Sequence, residues 1–316
     1  MSRIFTLTLN PALDLSTEAP EVVPDLKLRC AQPRADAGGG GVNVSRAIAF
    51  LGGETVAALA LGGSTGAQVR ARLVAEGIPL WELGVSAQTR ENLSVICQAT
   101  HRQFRFIMPG AVWSKQDLAA AIDAFCDGLR PGDIVVPSGS LPPGVESSAL
   151  VDLQARLGPL KVRTILDTSG PALRAMAGAR QHPLDLLRMD LEEAESLSGA
   201  RLSKLRDVAR VTEHLAARGC ARAVVVAKGA EGSVLSLDSG ETWHVRPPVV
   251  EVVSKTGAGD SFVAGYTLAS SRGADPLEAC ILGVGAACST VTSADTDLCN
   301  KRDADRYAEQ SIVTEL

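Results

Sequence analysis

The stretch Lys255-Thr256-Gly257-Ala258-Gly259-Asp260 runs directly into Ser261-Phe262-Val263-Ala264-Gly265-Tyr266. Two glycines and an alanine leave a backbone turn almost bare just before an apolar, helix-competent run. Such a turn lets an anion approach successive backbone N–H groups at the positive end of a helix. Gly257, Ala258 and Gly259 are therefore candidates for an anion hole. Asp260 stands where its charge would repel that anion, which suits a base that must touch the nucleophile attacking a phosphate. The same hexapeptide also fits a plain helix start with aspartate as its cap.

A second glycine cluster lies far upstream, at Gly38-Gly39-Gly40-Gly41-Val42-Asn43. Four glycines let the chain come within backbone distance of a ligand. Asn43 is expected to open a helix of apolar residues at helical spacing, closed by Gly52-Gly53. Two glycine-rich turn-to-helix junctions fit two ligands meeting between two helix N-termini. Neither junction is a GxxxxGK[ST] phosphate loop or a GxGxxG dinucleotide fingerprint.

Together these two signatures resemble those of the PfkB (ribokinase-like) family of carbohydrate kinases, and the resemblance covers essentially the whole chain. Residues 4–14, 38–43, 89–93, 104–110 and 138–144 resemble its phosphosugar branch, and within it the minor-type bacterial 6-phosphofructokinases. 1-Phosphofructokinase and tagatose-6-phosphate kinase are near relatives of that type. The resemblance implies transfer of the ATP γ-phosphoryl group to the 1-hydroxyl of fructose 6-phosphate. Such a transfer needs alignment, charge neutralisation and a base beside the acceptor oxygen.

Residue by residue, the resemblance makes Asp260 the catalytic base. It makes Asp14 the acceptor of sugar hydroxyls, Gly39 and Asn43 backbone and amide contacts, and Ser140 part of the sugar pocket. A phosphorylated sugar also brings a dianion that calls for cations. Lys27, Arg29, Arg90 and Arg105 in the lid-like regions are the candidates. Strand alternation turns Arg105 away from the face of its neighbours Phe104 and Phe106. For the nucleotide, Lys228, Gly229 and Gly232 in Ala227-Lys228-Gly229-Ala230-Glu231-Gly232 resemble the adenosine-side loop, although a simple strand-to-strand turn reads the same. No aromatic offers itself to stack the base, so aliphatic and backbone contacts are expected. Arg188 stands where close relatives have lysine, keeping the charge but changing its geometry.

Four further positions depart from the family pattern. Asp190 replaces the asparagine of an NxxE motif that organises Mg²⁺, while Glu193 is retained. The pair reads equally as a capping box for a helix over residues 191–197. Lys255 reads as a solvated neighbour of the turn, where relatives often have threonine. Asp295 and Asp297 replace a frequent glycine and a frequent basic residue in a loop that often holds a monovalent cation, so K⁺ activation is not expected.

Stepping from residues to elements, short apolar runs at residues 134–138, 163–167 and 223–227 alternate with amphipathic segments such as 146–157 and 203–218. Alternation of this kind predicts an α/β fold: a mainly parallel sheet with helices on both faces, and ligands at the carboxyl ends of the strands. The resemblance makes this a three-layer α/β/α, ribokinase-like domain spanning residues 1–316. Residues 13–35 and 91–108 break the alternation with short extended runs. In the family these form a small β-sheet lid over the sugar that also dimerises; by themselves they also fit a hairpin at the sheet edge.

At 316 residues, 46% hydrophobic and 21% charged, the chain has the composition of an ordinary globular protein. A net charge of −5 points away from nucleic acid and anionic membrane surfaces. No apolar run reaches the ~18–20 residues of a membrane span, and the N-terminus lacks the pattern of a signal peptide. Seven scattered cysteines without CxxC spacing read as buried, reduced thiols, so a cytoplasmic location is expected.

Overall fold

Ile134-Val135-Val136, Ile165-Leu166 and Val224-Val225-Val226 are apolar at consecutive positions, a pattern that fits a strand covered on both faces. The computed structural model describes residues 2–85, 87–293 and 298–316. All of these strand residues are buried there. The strands, in chain order, are β1 (Ile4–Thr8), β2 (Ala12–Ala19), β3 (Arg34–Gly38), β4 (Val56–Leu59), β5 (Leu80–Glu82), β6 (Arg90–Cys97) and β7 (Arg102–Phe106). Then follow β8 (Ile134–Pro137), β9 (Arg163–Asp167), β10 (Leu184–Asp190), β11 (Ala221–Ala227), β12 (Ser233–Leu237), β13 (Thr242–Arg246) and β14 (Ile312–Glu315).

Ten strands form one sheet in the order β14-β13-β12-β11-β10-β9-β8-β1-β4-β5. The neighbours from β5 to β11 pair in parallel, and β12, β13 and β14 continue the sheet antiparallel. Alternate side chains feed two cores. Phe5, Val135, Leu166 and Val224 pack with helices Lys115–Asp127, Ala149–Leu157, Gly170–Gly178 and Leu205–Ala217. Ile4, Ile134, Ile165 and Val225 pack with Gly40–Phe50, Ala258–Ser271 and Pro276–Val291 on the other face. The three α/β/α layers expected from the sequence are thus present. The two irregular regions form a separate four-stranded sheet, ordered β3-β2-β6-β7.

The site is positioned by a reversal of strand order. From β1 the sheet grows one way through β4 to β5, and later the other way from β8 to β11. The carboxyl ends of β1 and β8 therefore flank a crevice of the kind that binds ligands in open α/β sheets. The helix Gly40–Phe50 begins over that crevice, with Gly41 N–H donating to the Ser138 carbonyl at 3.3 Å. A Cβ at Gly40 would fall 2.4 Å from Ser138 Oγ and 2.8 Å from the Gly139 nitrogen, so this approach requires glycine.

One helix boundary differs from expectation. The helix starts at Gly40, capped by Gly39 at φ 120, and not at Asn43. Since β3 runs to Gly38, the turn takes a single residue, and the remaining glycines are absorbed into the first helical turn where it presses on β1 and β8. Asn43 consequently projects from that first turn. Six of the seven cysteines are buried free thiols and Cys30 is exposed. Among the described residues, no helix is long and apolar enough to cross a membrane.

Candidate active site

Gly257 takes the left-handed conformation (φ 77) and caps the helix Ala258–Ser271, which puts Asp260 in the first turn. The first turn of Gly40–Phe50 meets it directly: Asn43 Nδ2 donates to Asp260 Oδ2 at 2.9 Å. The two glycine junctions, distant in sequence, are one place in the fold. Gly259 is needed for a second close approach. A Cβ there would lie 2.9 Å from Arg188 Nη1 and 3.2 Å from its Cζ, so the guanidinium rests against the backbone of the turn.

Arg188 comes from β10 and is paired with Asp167 from β9, Nη1 to Oδ1 at 3.3 Å. The two side chains are only 12% and 14% exposed. Burial works against the arginine's charge, but Asp167, with smaller contributions from Glu193 and Asp190, raises its pKa overall. The Asp260 pKa is also raised, which for a carboxyl group disfavours the charged form. Burial first, and then the charge of Asp167, push its carboxyl up to about 7, while the Asn43 hydrogen bond and Arg188 pull it down and Asp14 adds to the rise. A carboxylate tuned near neutrality is suited to taking a proton and giving it back.

A cavity of about 790 Å³ opens in front of these groups. Gly257, Ala258, Gly259, Asp260, Ser140 and Arg188 line it. Gly229, Gly232, Asp190 and Glu193 line it as well. Asp190 and Glu193 do form the capping box of the helix Leu191–Ser198: Glu193 N–H donates to Asp190 Oδ1 and Asp190 N–H to Glu193 Oε2, both at 2.8 Å. Each carboxylate spends one oxygen on the cap while standing at the cavity wall, so capping and ion binding do not compete for the same atoms. Burial raises the pKa of Glu193, against the Asp190 N–H.

Other sequence candidates fall elsewhere. Asp14 and Arg90 lie on the small sheet. Lys27 and Arg29 are exposed between β2 and β3, Arg105 is exposed on β7, and none of the three borders the cavity. Lys228 does not face the cavity either: its ammonium pairs with Glu231 in its own turn, and the side chain is 8% exposed. The loop's contribution to the cavity is therefore its glycines. Lys255 is exposed at the rim. Asp295 and Asp297 lie outside the described residues.

Two features of the cavity were missed in the sequence. Asp167 ends the apolar run at residues 163–167, but sequence gives it no partner, because Arg188 is adjacent only through β9–β10 pairing. The second is the run Pro247-Pro248-Val249-Val250, with Val252, which forms an apolar wall of the cavity. Val249 and Val252 are largely exposed, and two prolines keep the segment out of the sheet. Apolar residues directly after prolines and outside any strand pattern were the available signal.

The sequence profile described as pfkB family carbohydrate kinase matches residues 8–303. The chain is 36% identical over 306 residues to ATP-dependent 6-phosphofructokinase isozyme 2 of Escherichia coli (strain K12), covering 97% of this chain and 98% of that one. It is 32% identical over 277 residues to 1-phosphofructokinase of Xanthomonas campestris pv. campestris, covering 87% and 86%. The crystal structure of phosphofructokinase-2 from Escherichia coli in complex with fructose-6-phosphate superposes with a TM-score of 0.90 at 35% identity, covering 98% of this chain and 99% of that one. The three-layer fold with its small sheet is the fold of that structure.

Proposed function

Since the chain belongs to the PfkB family of carbohydrate kinases, we propose that it is an ATP-dependent 6-phosphofructokinase, phosphorylating the 1-hydroxyl of fructose 6-phosphate to give fructose 1,6-bisphosphate and ADP. The observation that carries the proposal is the Asn43–Asp260 hydrogen bond. It brings a sugar-side glycine turn and a phosphate-side glycine turn to the same carboxylate. Relatives named 6-phosphofructokinase, similar over nearly the whole chain in sequence and fold, support the choice of sugar.

In the proposed mechanism the acceptor hydroxyl lies against Asp260, whose carboxylate takes its proton as the oxygen attacks the γ-phosphorus. The N–H groups of Gly257, Ala258 and Gly259, with the guanidinium of Arg188 behind them, receive the charge that develops on the transferred phosphoryl oxygens. Asp14, Gly39, Asn43 and Ser140 hold the sugar, and Arg90, Lys27 and Arg105 attract its phosphate. Gly229 and Gly232 admit the nucleoside to backbone distance, with the wall from Pro247 to Val252 covering its base. Asp190 and Glu193, two hard oxygen donors with an oxygen each left over from capping, fit Mg²⁺. Held by these two carboxylates, Mg²⁺ would supply positive charge against the phosphates.

A coupled ADP-release assay with ATP and Mg²⁺ tests the proposal against fructose 6-phosphate, fructose 1-phosphate, tagatose 6-phosphate and unphosphorylated fructose. Preference for fructose 6-phosphate is the expected result. Preference for fructose 1-phosphate would move the chain to the 1-phosphofructokinases. Binding without turnover on any of them would make it a non-catalytic sugar-phosphate protein. In the same assay Asp190→Asn is expected to move the Mg²⁺ optimum, since it keeps a side-chain oxygen for the cap and removes one negative charge beside the ion. An unchanged Mg²⁺ titration would leave Asp190 with capping alone.

The outer part of the small sheet is also proposed to form a homodimer contact. Leu26 and Leu28 before β3, and Phe106, Ile107 and Met108 at the end of β7, are each 40–67% exposed, and exposed apolar surface of this kind marks an association site. Sedimentation is expected to give a dimer at micromolar concentration, with Phe106→Glu weakening it; a monomeric parent would contradict the assignment.

A further inference from the structure

Asp14, Arg90, Asn92, Ser94 and Arg105 share one face of the small sheet. Asp14 of β2 lies directly opposite Asn92 of β6 in parallel register. Alternation puts Arg90 and Ser94 on the same face as Asn92, with Arg105 opposite Ser94. Leu13, Leu15, Leu93, Val95, Phe104 and Phe106 take the other face by the same register.

Within the polar face, Asn92 uses both ends of its amide. Nδ2 donates to Asp14 Oδ1 at 2.7 Å. Oδ1 accepts from the Met108 N–H at 3.2 Å. The Met108 carbonyl in turn accepts from Arg90 Nη1 at 3.0 Å. Asp14, Asn92, the Met108 backbone and Arg90 therefore form one continuous hydrogen-bonded run. Its two ends are held tightly. A Cβ at Gly38 would fall 2.0 Å from Asp14 Oδ2, so the carboxylate lies flat on that glycine. Arg90 keeps its Nε buried without a partner, and burial lowers its pKa against the attraction of Asp14.

We propose that Asn92 is a positioning residue for the acceptor sugar. Its amide joins the carboxylate that accepts sugar hydroxyls to the arginine that binds the sugar's phosphate, so that both ends of the phosphosugar are read by one preorganised unit. The proposal rests on the phosphosugar-kinase function set out above. A carboxylate with one oxygen held by an amide has one orientation and one free oxygen to offer a hydroxyl. An arginine anchored through a backbone carbonyl loses less freedom when it binds a dianion.

The test is steady-state kinetics of the full chain with Asn92→Ala and Asn92→Asp, together with calorimetric binding of fructose 6-phosphate. Asn92→Ala is expected to raise the KM and Kd for fructose 6-phosphate about tenfold, the loss from unpairing part-buried polar groups. The KM for ATP should stay within about twofold, because the nucleotide wall is untouched.

Asn92→Asp keeps the acceptor for the Met108 N–H but sets a second carboxylate against Asp14. Asp14 also faces Arg90 on the same sheet, Asp36 in register on β3 and, more distantly, Asp260. The variant is therefore expected to be worse than Asn92→Ala at pH 8. Relative to the parent at the same pH, it should recover as the pH falls and the paired carboxylates share a proton that restores the donor. Parent-like KM and Kd for fructose 6-phosphate in both variants would overturn the proposal. So would an equal rise in the KM for ATP, or a variant-to-parent ratio that does not change with pH. A parent that neither binds nor turns over any phosphosugar would instead overturn the functional assignment itself.

Discussion

Asp260→Asn is expected to lower kcat by about 10³-fold, the weight of a positioned general base, while the KM values for ATP and sugar change little. The amide keeps the shape of the carboxylate and loses its ability to take a proton. An Asn variant with kcat within a few-fold of the parent, measured by ADP release, would remove Asp260 from the proton transfer. The parent's pH profile carries the same residue's signature. With its carboxyl pushed up to about 7, mainly by burial and by Asp167, the base is protonated below that pH. The acid limb of kcat/KM should then fall with unit slope beneath about pH 7. Because the substrate phosphates also titrate near pH 6, Asn43→Ala is the control. Removing a donor that lowers the Asp260 pKa should shift the limb upward, which substrate titration cannot do.

The same raised pKa costs stability. An acid whose folded-state pKa lies above its unfolded value binds more protons folded than unfolded between the two. Folding is therefore weakened as pH rises from about 4 towards 7. Asp260→Asn should accordingly melt higher than the parent at pH 8, and the difference should shrink as the pH is lowered towards 4. A catalytic group held at some expense to stability is a common trade-off.

Arg188→Ala is the second large effect. It leaves Asp167 part-buried beside Asp260 without its counter-charge, an arrangement expected to cost about 2 kcal/mol after discounting for residual exposure of the pair. Catalysis should suffer more. Removing the guanidinium from behind Gly259 withdraws a fixed charge from the turn that receives the phosphoryl oxygens, roughly 10²-fold in kcat/KM for ATP. Arg188→Lys restores charge without the planar fork that lies against the Gly259 backbone while pairing with Asp167. It should recover most of the stability and only part of the rate. Thermal melts and kinetics on both variants separate these effects, and an Ala variant with parental melting and parental kcat/KM would contradict the placement.

Much of this architecture was legible before any fold was drawn. Consecutive apolar residues such as Val224-Val225-Val226 require burial on both strand faces, which implies helices on both sides of a sheet. Glycine pairs before helix-competent runs mark turns that only bare backbone can make, and Asp260 next to such a turn is an unusual place for a carboxylate. The capping box of Asp190 and Glu193 is a local, three-residue relation, and local relations survive in sequence. Even the interruption at residues 13–35 and 91–108 was visible, because alternating polarity without helical period signals half-covered strands.

What sequence order could not carry was adjacency between distant segments. The helix of the second glycine cluster began at Gly40, and not at Asn43, because the crevice between β1 and β8 pulls its glycines against Ser138 and Gly139. Lys228, in the loop that resembles an adenosine-side loop, pairs with Glu231, and only the way the turn faces decides that partner. Asp167 and Arg188 are joined only by the pairing of β9 with β10. The layer plan, the two bare turns and the carboxylate beside one of them follow from propensity, period and local geometry, which residue order carries directly. Tertiary structure alone decided that the two turns share one hydrogen bond, that a buried Asp–Arg pair stands beneath the phosphate-side turn and that Asn92 links Asp14 to Arg90. Electrostatic coupling depends on distance through space, and only the packed sheet sets that distance.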